Sequence, residues 1–300
     1  MSTELELKFL LAPAYLPQLQ ASLTQLGRID HHEQADLLNA YFDTAGNWFR
    51  RHDMGLRSRL KRGKYEQTIK LAGTQHGAMQ MRPEYNEPCM SVVPQLAAFP
   101  HHIWPEKADI AGLQAELTEL FRTDFNRCSW QLRCADGTEV DLVYDRGQVI
   151  ANGKTQPIAE LELELLEGDP QQLFILARQL IQLLPLQTGW LSKAARGYQL
   201  AFDTKLKLPS DTGTTLPAQV KALQQTEACY LQQQDVSVLS FAAAIMTAIA
   251  TGTAGIGQLQ QLSVTASGLA QQLAANQPVF ALQEYNLLLL SLSQYLYQHA

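Results

Sequence analysis

Carboxylates and cations recur at every second position in several short stretches of the sequence. Near the N-terminus the chain reads Glu4-Leu5-Glu6-Leu7-Lys8, and Glu160-Leu161-Glu162-Leu163-Glu164 repeats the pattern with three carboxylates. Because successive side chains of a strand point to opposite faces, each stretch predicts a strand with one charged face and one apolar face. Taken alone, the first stretch fits an ordinary edge strand with a solvated face, but its repetition favours the wall of a charged channel.

The paired carboxylates have the chemistry of a binding site for a hard divalent cation. Mg²⁺ and Mn²⁺ prefer oxygen ligands, and Mg²⁺ is usually shared between a few carboxylates and the phosphates of a substrate. The candidate ligands are Glu4, Glu6, Glu160, Glu162, Glu164 and either Asp141 or Asp145.

Basic side chains in other stretches would supply a complementary positive wall. Arginine suits bidentate phosphate contact, whereas lysine acts as a point charge. The candidate phosphate-binding residues are Arg57, Arg59, Lys70, Arg82, Arg127 and Lys193. The sequence contains no Ser/His/Asp arrangement, no GxSxG and no P-loop, so metal-assisted attack of water on a phosphoryl group is the favoured chemistry.

Nine short stretches, counted as about eight strands in all with little intervening helix, are predicted to position these residues. The predicted strands are Thr3–Leu11, Ala35–Thr44, Gly55–Leu60, Glu66–Leu71, Met79–Glu87, Leu120–Cys128, Ser129–Ala135, Glu139–Tyr144 and Ile158–Leu166. Apolar residues three and four apart predict helices at Pro13–Leu26 and Pro170–Leu184. Burying so many charges is tolerable only where they are paired, hydrated or liganded, a condition that a closed ring of strands with opposite charges inside would meet.

The composition changes from Lys205 onward. A stretch rich in Pro, Ser, Thr and Gly is typical of a linker, and beyond it Ala, Gln and Leu predominate. Residues 1–204 are therefore assigned to the strand domain, 205–217 to a linker and 218–300 to a small all-α domain. The helices predicted in that domain are Ala218–Leu231, Ser240–Thr251, Ile256–Leu262, Ser267–Ala275 and Val279–His299. The last is heavily apolar, which predicts burial in the bundle, with the interface of a homodimer as the alternative.

Bulk properties narrow the class of protein. The chain has 300 residues, of which 46% are hydrophobic, enough for one large or two modest domains. A net charge of −6 argues against a protein that coats nucleic acid or an anionic membrane. The sequence shows no apolar run long enough for a membrane span, no signal-peptide pattern and no CxxC pair among its four cysteines, so a cytoplasmic location is expected.

The N-terminal pattern resembles the ExExK signature of the CYTH, or triphosphate tunnel metalloenzyme, family. Further motifs of that family follow in order over about residues 1–203. They are Tyr41-Phe42-Asp43-Thr44, Leu56-Arg57-x-Arg59, Thr68-Ile69-Lys70, Arg82-x-Glu84, Asp145-Arg146-Gly147, Glu160-x-Glu162-x-Glu164 and Ser192-Lys193-x-x-Arg196-Gly197-Tyr198.

The resemblance implies an α+β fold, in which an eight-stranded antiparallel tunnel with flanking helices binds a linear triphosphate ahead of the all-α domain. It implies that the acidic candidates bind Mg²⁺ or Mn²⁺ and that the basic candidates contact phosphates. The Asp-Arg-Gly context favours Asp145 over Asp141 as a ligand, and three glutamates in one strand compete for what is usually a two-ligand role. Lys8 resembles the signature lysine that orients the substrate or the attacking water, so Lys8, Glu4 and Glu6 are the expected catalytic group.

Members of the family hydrolyse inorganic triphosphate, thiamine triphosphate or RNA 5′-triphosphate ends, or cyclise ATP to cAMP. The motif order and the helical extension look most like bacterial inorganic triphosphatases, so metal-dependent hydrolysis of inorganic triphosphate to pyrophosphate and phosphate is the expected function. A class IV adenylate cyclase, a thiamine triphosphatase and a non-catalytic triphosphate- or polyphosphate-binding module are the alternatives. The helical domain resembles a CHAD domain in position only, because it lacks the basic and His-rich surface expected of a polyphosphate binder.

Overall fold

Within residues 2–300, eight antiparallel strands close into a ring around a central tunnel. The computed structural model describes these residues, with side chains from Glu4 onward, and its strands are β1 (Ser2–Leu10), β2 (Arg28–Asp43), β3 (Gly55–Lys61), β4 (Lys64–Lys70), β5 (Thr74–His76), β6 (Met79–Cys89), β7 (Thr118–Arg133), β8 (Glu139–Ala151), β9 (Lys154–Glu167) and β10 (Gln187–Thr188). The order around the ring is β1-β9-β8-β7-β2-β3-β4-β6, and β6 pairs with β1 to close it. The short strands β5 and β10 extend the sheet beside β6 and β1. The predicted eight-stranded antiparallel tunnel is confirmed.

Strand β1 directs its charged side chains into the tunnel and its apolar side chains outward. Leu7 and Phe9 are fully buried in an apolar cluster that also contains residues of helices α1 (Leu16–Leu26) and α4 (Gln171–Leu183). The pairing with β9 sets Glu6 opposite Glu164. A shift of one residue would turn every charge of β1 into the apolar cluster, so the alternation fixes this register.

Two stretches predicted as separate strands form one strand, and a third strand begins earlier than predicted. Leu120–Cys128 and Ser129–Ala135 both fall largely within β7, which pairs with β2 over nearly its whole length. Strand β2 starts at Arg28 rather than at Ala35. Its first residues are mostly exposed and polar, so their sequence carries no apolar alternation that would reveal the extension.

Short helices fill the connections between strands, and helix α5 closes one end of the tunnel. Between β2 and β3 lies α2 (Trp48–Arg51), between β6 and β7 lies α3 (Ile110–Glu116), and α5 (Lys193–Ala201) follows β10. Tyr198 of α5 packs in a cluster with Phe121, Phe125 and Val149. Those strand residues stand an even number of positions from Arg127 and Asp145, so they share the tunnel-facing side of β7 and β8. Helix α5 therefore sits inside the mouth of the ring.

The C-terminal region consists of helices that pack against the outside of the ring. They are α6 (Leu216–Gln233), α7 (Val238–Thr253), α8 (Gln260–Ala274) and α9 (Gln283–Gln298). The predicted helix at Ile256–Leu262 is instead a 3₁₀ turn running into α8, which also absorbs the predicted helix at Ser267–Ala275. Asn286 of α9 accepts a hydrogen bond of 2.9 Å from the backbone N–H of Thr188 in β10. In the described part of the chain, no helix is both long and apolar enough to cross a membrane.

We predict that Gly197→Ala lowers the free energy of unfolding, whereas Gly268→Ala raises it. A Cβ at Gly197 in α5 would lie 2.0 Å from the ring of Phe121, which is held between the rings of Tyr41 and Tyr198. Overpacking of this kind typically costs about 1–3 kcal/mol. At Gly268 in α8 no described atom outside the neighbouring residues and the backbone of the helix itself lies within 4 Å of a Cβ, so alanine gains about 0.5–1 kcal/mol of helix stability. Urea unfolding of both variants measures the contrast, and equal stabilities would contradict the packing of α5 on β7.

Candidate active site

The tunnel encloses a cavity of about 210 Å³ whose lining is dominated by charged side chains. Among the described lining residues, seven are cations and five are carboxylates. The cations are Lys8, Arg57, Arg59, Lys70, Arg82, Arg127 and Lys193, and the carboxylates are Glu4, Glu6, Glu84, Glu162 and Glu164. The structure therefore gathers every predicted phosphate-binding residue in one cavity, together with four of the predicted metal ligands.

Lys193 is the centre of a buried cluster of ion pairs on one side of the cavity. Its Nζ atom lies 2.8 Å from Asp145 Oδ2, 2.7 Å from Glu160 Oε2 and 2.9 Å from Glu162 Oε1. Burial opposes the charge of Lys193, but the three carboxylates outweigh it and raise the pKa of the ammonium well above its usual range. Lys193 is the first residue of α5, and Ser192 caps that helix. The Oγ atom of Ser192 accepts a hydrogen bond of 3.0 Å from the N–H of Ala195.

Two arginines complete this ion-pair cluster. Arg127 binds the carboxylate of Asp145 through two hydrogen bonds of 2.7 Å and reaches Glu162 Oε2 at 3.1 Å. Arg196 Nη1 lies 2.5 Å from Glu160 Oε1. The planar fork of arginine matches a carboxylate, which makes these the strongest pairs available to buried acids.

Three predicted metal ligands are therefore already engaged with cations. Asp145 and Glu160 are fully buried and are absent from the described lining of the cavity. Their negative charges neutralise Lys193 and the two arginines of the cluster. Glu162 lines the cavity, and although burial favours its protonation, Lys193 and Arg127 hold its pKa well below the usual range. Asp141 lies on the same face of β8 as Asp145 but pairs in register with Glu164, farther from the cluster.

Glu6 and Glu164 are the carboxylates that the described cations leave uncompensated. They lie opposite each other on β1 and β9, and neither has a described Lys or Arg nitrogen within 4.0 Å. Burial, followed by the charges of Glu162 and Glu4, raises the pKa of Glu6 to about 7. Burial and the carboxylate of Glu4 raise the pKa of Glu164 to about 8. Ionising both acids places an excess of negative charge at this point of the wall.

Two lysines are held in fixed positions beside these acids. Lys70 contacts Glu4 of β1 and lies 2.9 Å from Glu84 Oε2 of β6. Lys8 Nζ donates a hydrogen bond of 2.8 Å to the carbonyl oxygen of Leu191. An ammonium has three donors, so Lys8 retains two N–H groups beyond that bond.

Arg57, Arg59 and Arg82 carry positive charge that the carboxylates leave largely unneutralised. Arg57 Nη2 lies 3.7 Å from Glu84 Oε1, and its buried Nε has no hydrogen-bond partner in the described structure. Arg59 donates to the side-chain oxygen of Asn39 at 2.8 Å. These partners are distant or neutral, so the guanidinium groups remain available to an anion.

Arg59 also lies close enough to other arginines of the cavity to be repelled by them. Burial and the charges of Arg57 and Arg127 lower the pKa of Arg59 to about 9. Arg82 donates to the carbonyl oxygen of Leu71 at 3.1 Å, and no described carboxylate lies within 4.0 Å of it. A polyanion bound here would replace repulsion between cations with charge-assisted hydrogen bonds.

The donor set around Glu6 fits a hard divalent cation that is shared with phosphate. Within residues 2–300 no three or more His, Cys, Asp or Glu side chains are already grouped as a metal site. Mg²⁺ at phosphate-binding sites usually takes one or two carboxylates and completes its shell with waters and phosphate oxygens. The uncompensated carboxylates of Glu6 and Glu164, with Glu4 beside them, offer that chemistry without forming a cage of protein ligands.

Sequence reasoning gave no role to Glu84 or Phe125, which shape the cavity. Burial favours protonation of Glu84, but Lys70 and Arg57 lower its pKa to about 2, so it is a fixed negative charge. Its spacing in Arg82-Pro83-Glu84 carried the alternation signal that marks the other tunnel-facing residues. The centre of the Phe125 ring lies 5.4 Å from Lys193 Nζ. This contact joins distant parts of the chain, so no local sequence pattern predicts it.

Comparison with known proteins relates most of the chain to one domain family. Residues 2–198 match the CYTH domain family. The chain is 32% identical over 208 residues to an inorganic triphosphatase from Haemophilus influenzae, a match that covers 67% of this chain and 55% of that protein. This chain thus spans about half the length of that relative.

Two solved structures show partial similarity to the chain. One from Hippeastrum, described as an adenylyl cyclase candidate with a dominant triphosphatase activity, is 18% identical with a TM-score of 0.47, covering 65% of this chain and 95% of that one. Another, described as an adenylate cyclase candidate from Bacillus halodurans, is 15% identical with a TM-score of 0.36, covering 59% of this chain and 87% of that one. At these values neither similarity bears on activity.

We predict that Lys193→Met destabilises the ligand-free protein, whereas Arg59→Met does not. Loss of the Lys193 ammonium leaves three buried carboxylates short of a partner, and breaking a buried pair typically costs about 3–5 kcal/mol. Removing Arg59 relieves a repulsion between guanidinium groups, so Arg59→Met is expected to lower the free energy of unfolding by less than about 1 kcal/mol. Denaturant unfolding without phosphate or metal measures both variants. Equal destabilisation would contradict the division between engaged and uncompensated cations.

Proposed function

The chain belongs to the CYTH domain family, and from that premise we propose that it hydrolyses inorganic triphosphate with Mg²⁺ or Mn²⁺ as cofactor. In this reaction a water oxygen bonds to the terminal phosphorus, the bridging P–O bond breaks, and pyrophosphate and phosphate are released. The observation that carries the proposal is the pairing, in one cavity, of uncompensated guanidinium groups with uncompensated carboxylates. A polyanion and a divalent cation bound together would neutralise both sets.

The basic residues divide the work of binding the substrate. Three arginines donate hydrogen bonds directly to phosphate oxygens, because their guanidinium groups lack close carboxylate partners. They are Arg57, Arg59 and Arg82. Lys70, Arg127 and Lys193 add positive field and contacts where they face the cavity, while their carboxylate partners keep them in place. Phosphoryl transfer depends chiefly on this kind of positioning and charge neutralisation.

Acidic residues of β1 and β9 hold the cofactor. Of the candidate ligands, we assign Glu4, Glu6 and Glu164 to the metal, and we assign Asp145, Glu160 and Glu162 chiefly to positioning Lys193 and Arg127. When bound, a divalent cation neutralises phosphate charge and lowers the pKa of a water that it holds. Lys8 directs its two remaining N–H donors to the substrate or to the attacking water.

The lining of the cavity favours an inorganic substrate over an organic triphosphate. A nucleobase or a thiamine ring needs an apolar or aromatic surface to cover it. In the tunnel, Phe125 already lies beneath Arg127 at 5.8 Å and beneath Lys193 at 5.4 Å. The volume of about 210 Å³ is bounded mainly by charge, which suits a chain of phosphates.

We predict phosphate release from inorganic triphosphate that requires Mg²⁺ or Mn²⁺ and stops when EDTA removes the metal. Glu6→Gln removes a charged ligand and is expected to lower kcat by at least about 100-fold, as losses of single catalytic groups commonly do. Glu66→Gln is the matched control, because Glu66 is exposed on β4 and outside the cavity lining.

A substrate panel of triphosphate, thiamine triphosphate, ATP and pyrophosphate with the metal varied decides among the alternatives. Strong formation of cAMP with negligible triphosphate hydrolysis would establish a cyclase instead. Preferred turnover of thiamine triphosphate would overturn the substrate assignment. Tight binding of triphosphate without turnover in any divalent metal would indicate a binding module.

We predict that Arg59→Met weakens triphosphate binding by on the order of tenfold or more, because a hydrogen bond to a charged group contributes about 1.5–3 kcal/mol. Arg62→Met is the control, since Arg62 is exposed and pairs with Glu33 at 3.1 Å outside the cavity. Calorimetric titration with triphosphate in the absence of metal measures the two variants. Unchanged affinity in Arg59→Met would contradict the assignment of the uncompensated guanidinium groups to phosphate.

A further inference from the structure

A second cavity lies between the ring of strands and helix α6. Its volume is about 670 Å³, and none of its described lining residues also lines the tunnel cavity. The segment 188–194 separates the two spaces, since Thr188, Gly189, Trp190 and Leu191 line the second cavity whereas Ser192, Lys193 and Ala194 line the tunnel. The second cavity is therefore a distinct compartment beside the proposed active site.

The walls of this cavity are mainly apolar. Leu10, Leu11 and Ile158 contribute from the strand side, and Ala228 and Leu231 contribute from α6. Small-molecule sites commonly have volumes of about 300–1,000 Å³ and apolar walls that carry a few placed polar groups. The size and the lining both match that class of site.

Three of its lining residues hold buried polar atoms without a partner in the described structure. The side chain of Gln224 is 1% exposed, and neither its amide oxygen nor its amide nitrogen is hydrogen-bonded. The indole N–H of Trp190 is also buried without an acceptor. Polar groups of this kind are normally satisfied in proteins, and leaving them unpaired is costly.

Glu227 supplies the third polar group. Its Oε2 accepts hydrogen bonds from the Tyr285 hydroxyl at 2.9 Å and from Thr188 Oγ1 at 3.4 Å, whereas its Oε1 has no described partner. The side chain is 2% exposed. Burial raises its pKa to about 8, so near pH 7 the carboxyl group is largely neutral and presents an O–H or a C=O to the cavity.

The cations near this cavity do not make it an anion site. Arg196 is taken by Glu160 at 2.5 Å and by Gln156 at 3.2 Å. Arg146 is exposed to solvent and lies on the face of β8 opposite Asp145. An anion in the cavity would lose its hydration with no buried, unengaged cation among the described lining residues to offset that loss, so the donors and acceptors select an uncharged ligand.

We propose that this cavity binds a neutral, planar heterocycle of the nucleobase type, whose edge carries a hydrogen-bond donor beside an acceptor. The amide of Gln224 matches such an edge, as glutamine does when it pairs with adenine through two hydrogen bonds. The N–H of Trp190 and the free oxygen of Glu227 provide further contacts, and the apolar walls cover the ring faces. Nothing in this assignment depends on the reaction in the tunnel.

Isothermal titration calorimetry of the full chain, without triphosphate or metal, tests the proposal with adenosine and uridine as probes and laurate as an anionic apolar control. We expect one nucleoside per chain to bind and laurate not to bind. Gln224→Leu is expected to weaken nucleoside binding by at least tenfold. Gln225→Leu is the matched control, since the side chain of Gln225 donates to the carbonyl oxygen of Lys207 outside the cavity and its loss leaves the affinity unchanged.

Two further measurements keep the outcome decisive. Gln224→Leu removes an unpaired polar group, so its thermal midpoint should equal or exceed that of the unsubstituted protein, and Ala228→Phe should abolish binding by filling the cavity. Failure of both nucleosides to bind, preference for laurate, or unchanged affinity in Gln224→Leu would overturn the proposal. Displacement of the nucleoside by saturating triphosphate would overturn it as well, because it would place the nucleoside in the tunnel.

Discussion

The need to compensate buried charge governs the structure of the tunnel. The ammonium of Lys193 lies within 3 Å of three carboxylates, and two arginines reach the remaining oxygen of each of the three. Such a cluster is tolerable in a water-poor interior only if every member keeps its partners. Elsewhere in the tunnel the compensation is incomplete: Lys70 pairs with Glu4 and Glu84, but Arg59 and Glu6 are left with charges that neighbours of the same sign oppose. The complete part of the network fixes the shape of the site, and the incomplete part selects what binds there.

The seating of α5 in one end of the tunnel makes this compensation possible. Tyr198 of α5 donates a hydrogen bond of 2.7 Å to Asp43, whose carboxylate also accepts from the backbone N–H groups of Thr44 and Phe49 at 2.8 and 2.9 Å. The Tyr-Phe-Asp-Thr and Arg-Gly-Tyr motifs therefore meet in a structural contact. The close approach of Gly197 to Phe121 seats α5 deeply enough for Lys193 to reach the carboxylates of β8 and β9.

The helical C-terminal region is attached to the outside of the ring. Asn286 satisfies the backbone of β10, and Leu290 joins the apolar cluster outside β1. The family match ends at residue 198, so these helices lie beyond it. Charged residues are few in these helices, and Gln224 and Glu227, which face the second cavity, each keep buried polar atoms without a partner in the described structure. Buried polar groups without partners thus indicate a candidate ligand site in both cavities. The groups are charged in the tunnel and neutral in the second cavity.

The sequence determined which side chains face the tunnel. A strand alternates its faces with a period of two residues, so Glu4, Glu6, Lys8, Arg57, Arg59 and the glutamates of β9 could be assigned to the interior from local order alone. It did not determine which charges compensate one another. The partners of Lys193 lie on β8 and β9, 31 to 48 residues earlier in the chain, and the contact depends on the strand register and on the seating of α5. For that reason the sequence did not show which acidic candidates cations would engage, and only the tertiary structure separated Asp145, Glu160 and Glu162, which pair with Lys193 and the arginines, from Glu6 and Glu164.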